Sequence, residues 1–389
     1  MSEKGLKIGQ VAVLDIGSSK IKAVIGERGV NKTFVIKGEC EQEYAGFYNG
    51  LFFDTIELKE LVKESLITVM NNCGVKVDTL YIGVPGDWCS VVVREHRMAY
   101  QRKRKITDEV LDEMYNSAYN VKSDDYQLIN RAAMYYVLDD NRRVASAIGQ
   151  VTESLKGVFS FILCEKYFID IFSSICNEMG IANVEYVAIS LAEASYLFSP
   201  EIRDRMAILL DCGYTSTTLS IIQGDGLLYQ KSFAFGGGFI TAQLADKLGI
   251  DVLIAERLKR KVNLSCEYTE DDCYKVYDGS KEYEYSSVNV NNIVDLAISD
   301  LCENIEMCLV DSRLQFPEYI PISLTGGGVS YMRGIKEAIT NRVNMATEII
   351  FPNTPYMNKP IYSSMLSLLD VALSQGPQKV SFFKKIFGF

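Results

Sequence analysis

Histidine is almost absent from this sequence: His96 is the only one in 389 residues. A Ser-His-Asp or Cys-His mechanism, or a zinc site of mixed His and Cys, has next to nothing to draw on. The ten cysteines form no C-x-x-C pair, which removes the usual spacing of structural zinc. His96 stands among Arg94, Glu95 and Arg97 near the end of an expected strand and reads as a plain surface residue. Long apolar runs are missing too. The best internal one, Gly157 to Cys164, is the length of one strand, against the roughly 18–20 residues of a spanning helix. Met1 to Gln10 has no basic stretch leading into an apolar core, so a chain without a signal peptide, kept in the cytosol, is expected.

Positive charge is in deficit as well. A net charge of -10 argues against a broad nucleic-acid face. The dissenting run, Arg102 to Lys105, precedes the helix signal Thr107-Asp108-Glu109. It reads as a solvated connector or as a partner-contact or lipid-facing patch. With 48% hydrophobic residues, 23% charged and only eight prolines, the chain is neither disordered nor collagenous, and its length calls for two lobes.

What is present is alternation of strands and helices, the mark of an α/β protein with open sheets covered by helices. Val11 to Leu14 leads into Asp15-Ile16-Gly17-Ser18-Ser19-Lys20 and a second β-rich run, Ile21 to Gly26. The same design returns at Ala207 to Leu210, Asp211-Cys212-Gly213-Tyr214-Thr215-Ser216, and Thr217 to Ile222. No short-period repeat accompanies it, so it reads as a duplicated fold half. Further strands are expected at Thr79 to Val84, Cys89 to Val93, Gln127 to Val137, Val158 to Leu163 and Pro321 to Leu324. Helices are expected at Leu58 to Asn72, Asp108 to Asn120, Lys166 to Met179 closed by Gly180, Val252 to Lys261 and Asn292 to Arg313. Cys266 to Asn292, rich in Tyr and acids, reads as an exposed small cap on the second lobe.

An Asp followed by Gly and hydroxyls in a tight turn suits phosphate and a metal. Glycine lets backbone N–H groups approach the anion, hydroxyls add donors, and the carboxylate holds Mg²⁺ through water. Asp15 and Asp211 are the candidate Mg²⁺ residues. Two such turns, joined by Gly236-Gly237-Gly238 and Gly326-Gly327-Gly328 directly after strands, would clamp a nucleoside triphosphate between two lobes.

These four segments, in order and spacing, resemble the phosphate and adenosine motifs of the actin/Hsp70/sugar-kinase superfamily, and within it the chain resembles the FtsA family. That resemblance implies a two-lobed actin-like (ribonuclease-H-like) ATPase fold with an FtsA-type inserted subdomain. It implies a first large subdomain over 8–83, 167–205 and 350–374, and an inserted one over 84–166, entered through Ile82-Gly83-Val84-Pro85-Gly86. A second lobe over 206–349 would hold a small subdomain at about 228–310. Residues 375–377 would be a linker and 378–389 an amphipathic membrane-targeting helix. It further implies ATP and Mg²⁺ as cofactors, bound by Asp15, Gly17, Ser18, Ser19, Lys20, Asp211, Gly213, Tyr214, Thr215, Ser216 and the two glycine triplets. Glu256 and Lys259 fall where superfamily members touch ribose and adenine; a solvated face of Arg257, Lys259, Arg260 and Lys261 is the other reading. The implied partners are the C-terminal peptide of FtsZ on the second lobe, further copies in filaments, other division proteins at the inserted subdomain, and anionic lipids. The implied place is the inner face of the cell membrane at the division site. The acids usual in the family are missing at Thr218, Ser190 and Gln243, with Glu193 one turn beyond Ser190, so slow hydrolysis or none is expected and no catalytic residue is assigned.

At about 100° per residue, Val380, Phe382, Phe383, Ile386, Phe387 and Phe389 share one half of a terminal helix. Gln378, Ser381, Lys384 and Lys385 share the other, with Lys379 the exception. This suits an interfacial anchor, or else a helix docked on the protein's own core. A pilus-assembly adaptor of the same fold, lacking the anchor, and a small-molecule kinase, needing a catalytic Asp and a substrate pocket, are the rival readings.

Overall fold

The computed structural model describes residues 4–375 apart from 8, 49 and 318; the expected tail helix, Val380 to Phe389 included, lies outside the described residues. Two five-stranded sheets of one topology organise the rest. In the first, the hairpin strands Gln10–Ile16, Lys20–Arg28 and Phe34–Glu43 run antiparallel, and Thr79–Val84 and Asn183–Ala188 continue in parallel beyond Gln10–Ile16. In the second, Ala207–Cys212, Thr217–Gln223 and Gly226–Phe233 repeat the antiparallel set, and Ile322–Thr325 and Thr347–Ile349 repeat the parallel pair. The duplicated half expected from the two Asp-Gly turns is thus a duplicated sheet.

Every residue of Gln10–Ile16 is buried, because helices cover both faces of its sheet. Thr55–Cys73 covers one face with Leu58, Val62, Leu66 and Val69. Asp54 caps its start by accepting from the Ile56 and Glu57 N–H groups, and Gly74 closes it at φ +62°. Ser363–Gln375 covers the other face, setting Leu366, Leu368 and Leu369 against Val11, Val13 and Val24. The second sheet packs on Gly237–Leu248, Val252–Lys259, the 26-residue helix Ser287–Ser312 and Ile335–Val343. Among the described residues no helix is long and apolar enough to cross a membrane.

Between Thr79–Val84 and the helix Lys166–Glu178 stands a four-stranded antiparallel sheet, with Cys89–Lys105 at one edge and the helix Asp108–Ala118 packed on it. Two expectations need correcting here. The strand expected to stop at Val93 runs to Lys105, so Arg102 to Lys105 are an exposed strand end and not a connector. His96 lies mid-strand opposite Gly157, not near the strand end. Beyond Tyr100 every residue of Cys89–Lys105 is exposed, so this end carries polar residues on both faces and loses the apolar alternation that marks a strand in sequence.

This sheet also touches the second lobe. Ser160 Oγ donates to the Leu227 carbonyl at 2.8 Å and accepts from its N–H at 3.1 Å. The Tyr-rich cap is likewise not simply exposed. Cys273–Asp278 and Lys281–Ser286 form a hairpin that buries Tyr274 and Val276, and the following helix begins at Ser287.

Candidate functional site

The two Asp-Gly turns are built alike. Gly17 N–H donates to the Lys20 carbonyl at 2.9 Å, and Gly213 N–H to the Ser216 carbonyl at 2.9 Å, so each hairpin closes over the same span. They face each other across a cleft of about 630 Å³ between the lobes. Ser18 reaches across it, its Oγ accepting from the Tyr214 and Thr215 N–H groups at 3.1 Å each. Successive N–H groups aimed at one oxygen form the nest that binds anions in phosphate loops. Thr215 Oγ1, buried beside them, has no hydrogen-bond partner among the described residues.

The floor is acidic. Asp15 is 5% exposed and accepts from Ser364 Oγ at 2.5 Å; loss of hydration pushes its carboxyl above the ordinary range, against the pull of Ser364 and Lys22. Asp211 is pushed up to about 7 by loss of hydration, with Asp15 and Asp87 adding repulsion. Asp87 accepts from Ser216 Oγ at 2.9 Å and is raised by its own partial burial. Glu193 lies deepest, raised well above the carboxylate range by burial and then by Asp211 and Asp15. Among the described residues none of these four has a Lys or Arg nitrogen within ion-pair reach, whereas Lys20 and Lys22 are both spent on Glu41.

The glycine triplets hold the second turn in place. Gly237 N–H donates to the Gly213 carbonyl at 2.9 Å, Gly238 N–H to Tyr214 at 2.7 Å and Gly328 N–H to Cys212 at 2.7 Å. Such contacts need bare backbone. A Cβ on Gly326, at φ +85°, would lie 2.3 Å from Asp211 Oδ1. Gly326 and Gly327 reach the cleft wall, while Gly236, Gly237, Gly238 and Gly328 stand behind it, packed against the second turn and one another.

Asp15, Gly17, Ser18, Ser19, Lys20, Asp211, Gly213, Tyr214, Thr215, Ser216, Glu256 and Lys259 all line the cleft. Lys259 corrects the solvated-face reading. It is 2% exposed, and its Nζ donates to the Gly237 carbonyl at 2.8 Å, Thr241 Oγ1 at 2.9 Å and Glu256 Oε2 at 2.6 Å. Arg257, Arg260 and Lys261 keep the solvent. Sequence reasoning missed Asp87 and Ser364. Asp87 had a readable signal: in open α/β sheets the crevice lies beyond the carboxyl ends of the parallel strands, and Asp87 follows Thr79–Val84 as Glu193 follows Asn183–Ala188.

Two lobes of repeated topology gripping one cleft through paired hairpins are the architecture of the actin superfamily. Solved structures share it. One described as the PilM-PilN type IV pilus biogenesis complex matches with TM-score 0.61 at 16% identity, covering 93% of this chain and 98% of that one. MreB 5 of Spiroplasma citri bound to AMPPNP matches with TM-score 0.56 at 12% identity, covering 94% and 96%. A family model described as "Cell division protein FtsA" matches residues 208–367. The cell division protein FtsA of Staphylococcus epidermidis is 20% identical over 367 residues, 93% of this chain and 78% of that protein. That of Pseudomonas aeruginosa is 20% identical over 378 residues, 93% and 89%. Along 93% of its length the chain is similar to these FtsA division proteins, and it shares the actin-like fold of the solved structures.

Proposed function

We propose that this chain binds ATP with Mg²⁺ between its lobes and serves bacterial cell division as a nucleotide-gated polymer subunit on the inner face of the membrane. The observation that carries the reading is the pair of hairpins facing each other, with the Tyr214 and Thr215 N–H groups turned onto a single oxygen of Ser18. An oxygen of phosphate suits the same nest, so a nucleotide would compete with Ser18 and bind where the lobes meet. Asp15 and Asp211, the acids opening the two hairpins, would hold the cation through its water. Among the described residues no three of His, Cys, Asp or Glu are arranged to ligate a metal directly, so water and phosphate oxygens would supply most of its shell. The cation's part, when bound, is to neutralise phosphate charge against the acidic floor.

The division role draws support from the names of the FtsA relatives, and the bound AMPPNP in the MreB 5 structure supports the nucleotide. The finer parts of the reading are tethering of FtsZ through its C-terminal peptide on the second lobe, contacts of other division proteins at 84–166, and attachment by 378–389 to anionic lipids. One such tail would bind weakly, and a polymer would add tails until attachment holds. A pilus-assembly adaptor is the second reading, favoured by the likeness to the PilM-PilN complex. Electron microscopy on anionic lipid monolayers with ATP separates them. Filaments from the full chain, lost on truncation after Gly376, are expected; isolated molecules at high concentration would contradict the polymer reading.

A further inference from the structure

The two hairpins carry different side chains at one matching position. Counting from the acid that opens each turn, Ser18 in the first corresponds to Tyr214 in the second, and the same N–H to carbonyl bond closes both. Ser18 reaches across the cleft, its Oγ taking the Tyr214 and Thr215 N–H groups. Tyr214 instead lays its ring on its own lobe. Gly238 N–H donates to the Tyr214 carbonyl at 2.7 Å, and a Cβ on Gly238 would lie 2.8 Å from Cε1 and 3.0 Å from Cζ of the ring. Lys259 Nζ stands over the ring, 5.6 Å from its centroid. Seated this way the ring is half-buried and still lines the cleft. The polar pair beside it is already spent. An ammonium has three donors, and Lys259 uses them on the Gly237 carbonyl, Thr241 Oγ1 and Glu256 Oε2. Glu256 also accepts from Thr241 on Oε2 and from Arg260 on Oε1, so both its oxygens are served within the second lobe.

We propose that the Tyr214 ring is the surface on which the nucleoside of a bound nucleoside triphosphate packs, and that Glu256 and Lys259 leave the ribose hydroxyls unread; this rests on the reading of the cleft as a nucleotide site. One residue then serves both ends of the ligand. The Tyr214 N–H belongs to the phosphate nest, and its side chain leads from there along the wall toward Glu256 and Lys259. An aromatic face holds a nucleoside by stacking, which needs a flat partner and asks nothing of the sugar hydroxyls. Selection in this site is therefore for the presence of a nucleoside on the triphosphate, and not for ribose over its deoxygenated forms.

Calorimetric titrations with Mg²⁺ compare ATP, 2′,3′-dideoxy-ATP and inorganic triphosphate on the full chain, Tyr214→Phe and Tyr214→Ala. The parent should bind the dideoxy nucleotide within about threefold of ATP, and inorganic triphosphate at least about tenfold more weakly. Tyr214→Phe keeps the ring and should bind ATP within about threefold of the parent. Tyr214→Ala should lose at least about tenfold for ATP yet bind inorganic triphosphate as the parent does, because the nest is made of backbone. Dideoxy-ATP bound at least about tenfold more weakly than ATP overturns the proposal, since the hydroxyls are then read. So does a parent that binds inorganic triphosphate as tightly as ATP, parent-like ATP affinity in Tyr214→Ala, or an equal loss in Tyr214→Phe. Loss of inorganic triphosphate together with ATP in Tyr214→Ala also overturns it, marking a side chain that only props up the turn. A parent that binds neither ATP nor inorganic triphosphate overturns the nucleotide reading itself.

Discussion

In the proposed nucleotide site, Asp211 is a single residue that would trade stability for binding. Its carboxyl is pushed up to about 7 from an ordinary value of 3.8, because folding removes its hydration and sets Asp15 and Asp87 nearby. A raised folded value means the folded state holds the proton more tightly. The destabilisation is absent below the ordinary value, grows as pH rises from there toward 7, and is constant above. Asp211→Asn should therefore raise the ligand-free melting temperature at pH 7.5, flatten its decline between pH 4 and 7, and remove ATP·Mg²⁺ affinity. Calorimetric melting across that range, with an ATP titration beside it, checks all three. Lys259 should behave in the opposite way. Its ammonium satisfies the Gly237 carbonyl, Thr241 and Glu256 from a buried position, so Lys259→Met, which leaves Glu256 to Thr241 and the exposed Arg260 alone, should cost about 2 kcal/mol, read by urea denaturation.

The elements were legible in proportion to how far their own residues determine them. Thr79–Val84 and the turns at Asp15 and Asp211 follow from apolar runs of strand length and from Gly with hydroxyls, which are local signals. The far end of Cys89–Lys105 left no such signal, since solvent meets it on both faces. The burial of Lys259 was hidden for another reason. Its partners at Gly237 and Thr241 come from a different helix, and a run of basic residues looks the same whether one of them points in or out. Among the glycines, Gly326 and Gly279 share a left-handed backbone, yet only Gly326 has Asp211 Oδ1 within 2.3 Å of an added Cβ, while Gly279 has open space. Gly326→Ala should weaken ATP binding at least about tenfold by shifting the Asp211 hairpin. Gly279→Ala should cost only the left-handed strain, about 1–2 kcal/mol, and leave binding alone. Paired titrations and denaturation curves decide between them.

At the scale of the whole molecule, the inserted sheet bridges both lobes. It hangs from Thr79–Val84 and Lys166–Glu178, touches the strand Gly226–Phe233 through Ser160, and joins the second hairpin through Asp87 and Ser216. A change in lobe angle is therefore felt at the sheet, so ATP should slow amide exchange in Cys89–Lys105 as well as at the cleft. The account stands or falls on whether one nucleotide sits between the two hairpins. Calorimetric titration of ATP·Mg²⁺ into the full chain and into Asp15→Ala/Asp211→Ala tests this most directly. The account predicts one site per parent chain and no measurable heat of binding from the folded double variant; parent-like binding by that variant would contradict it.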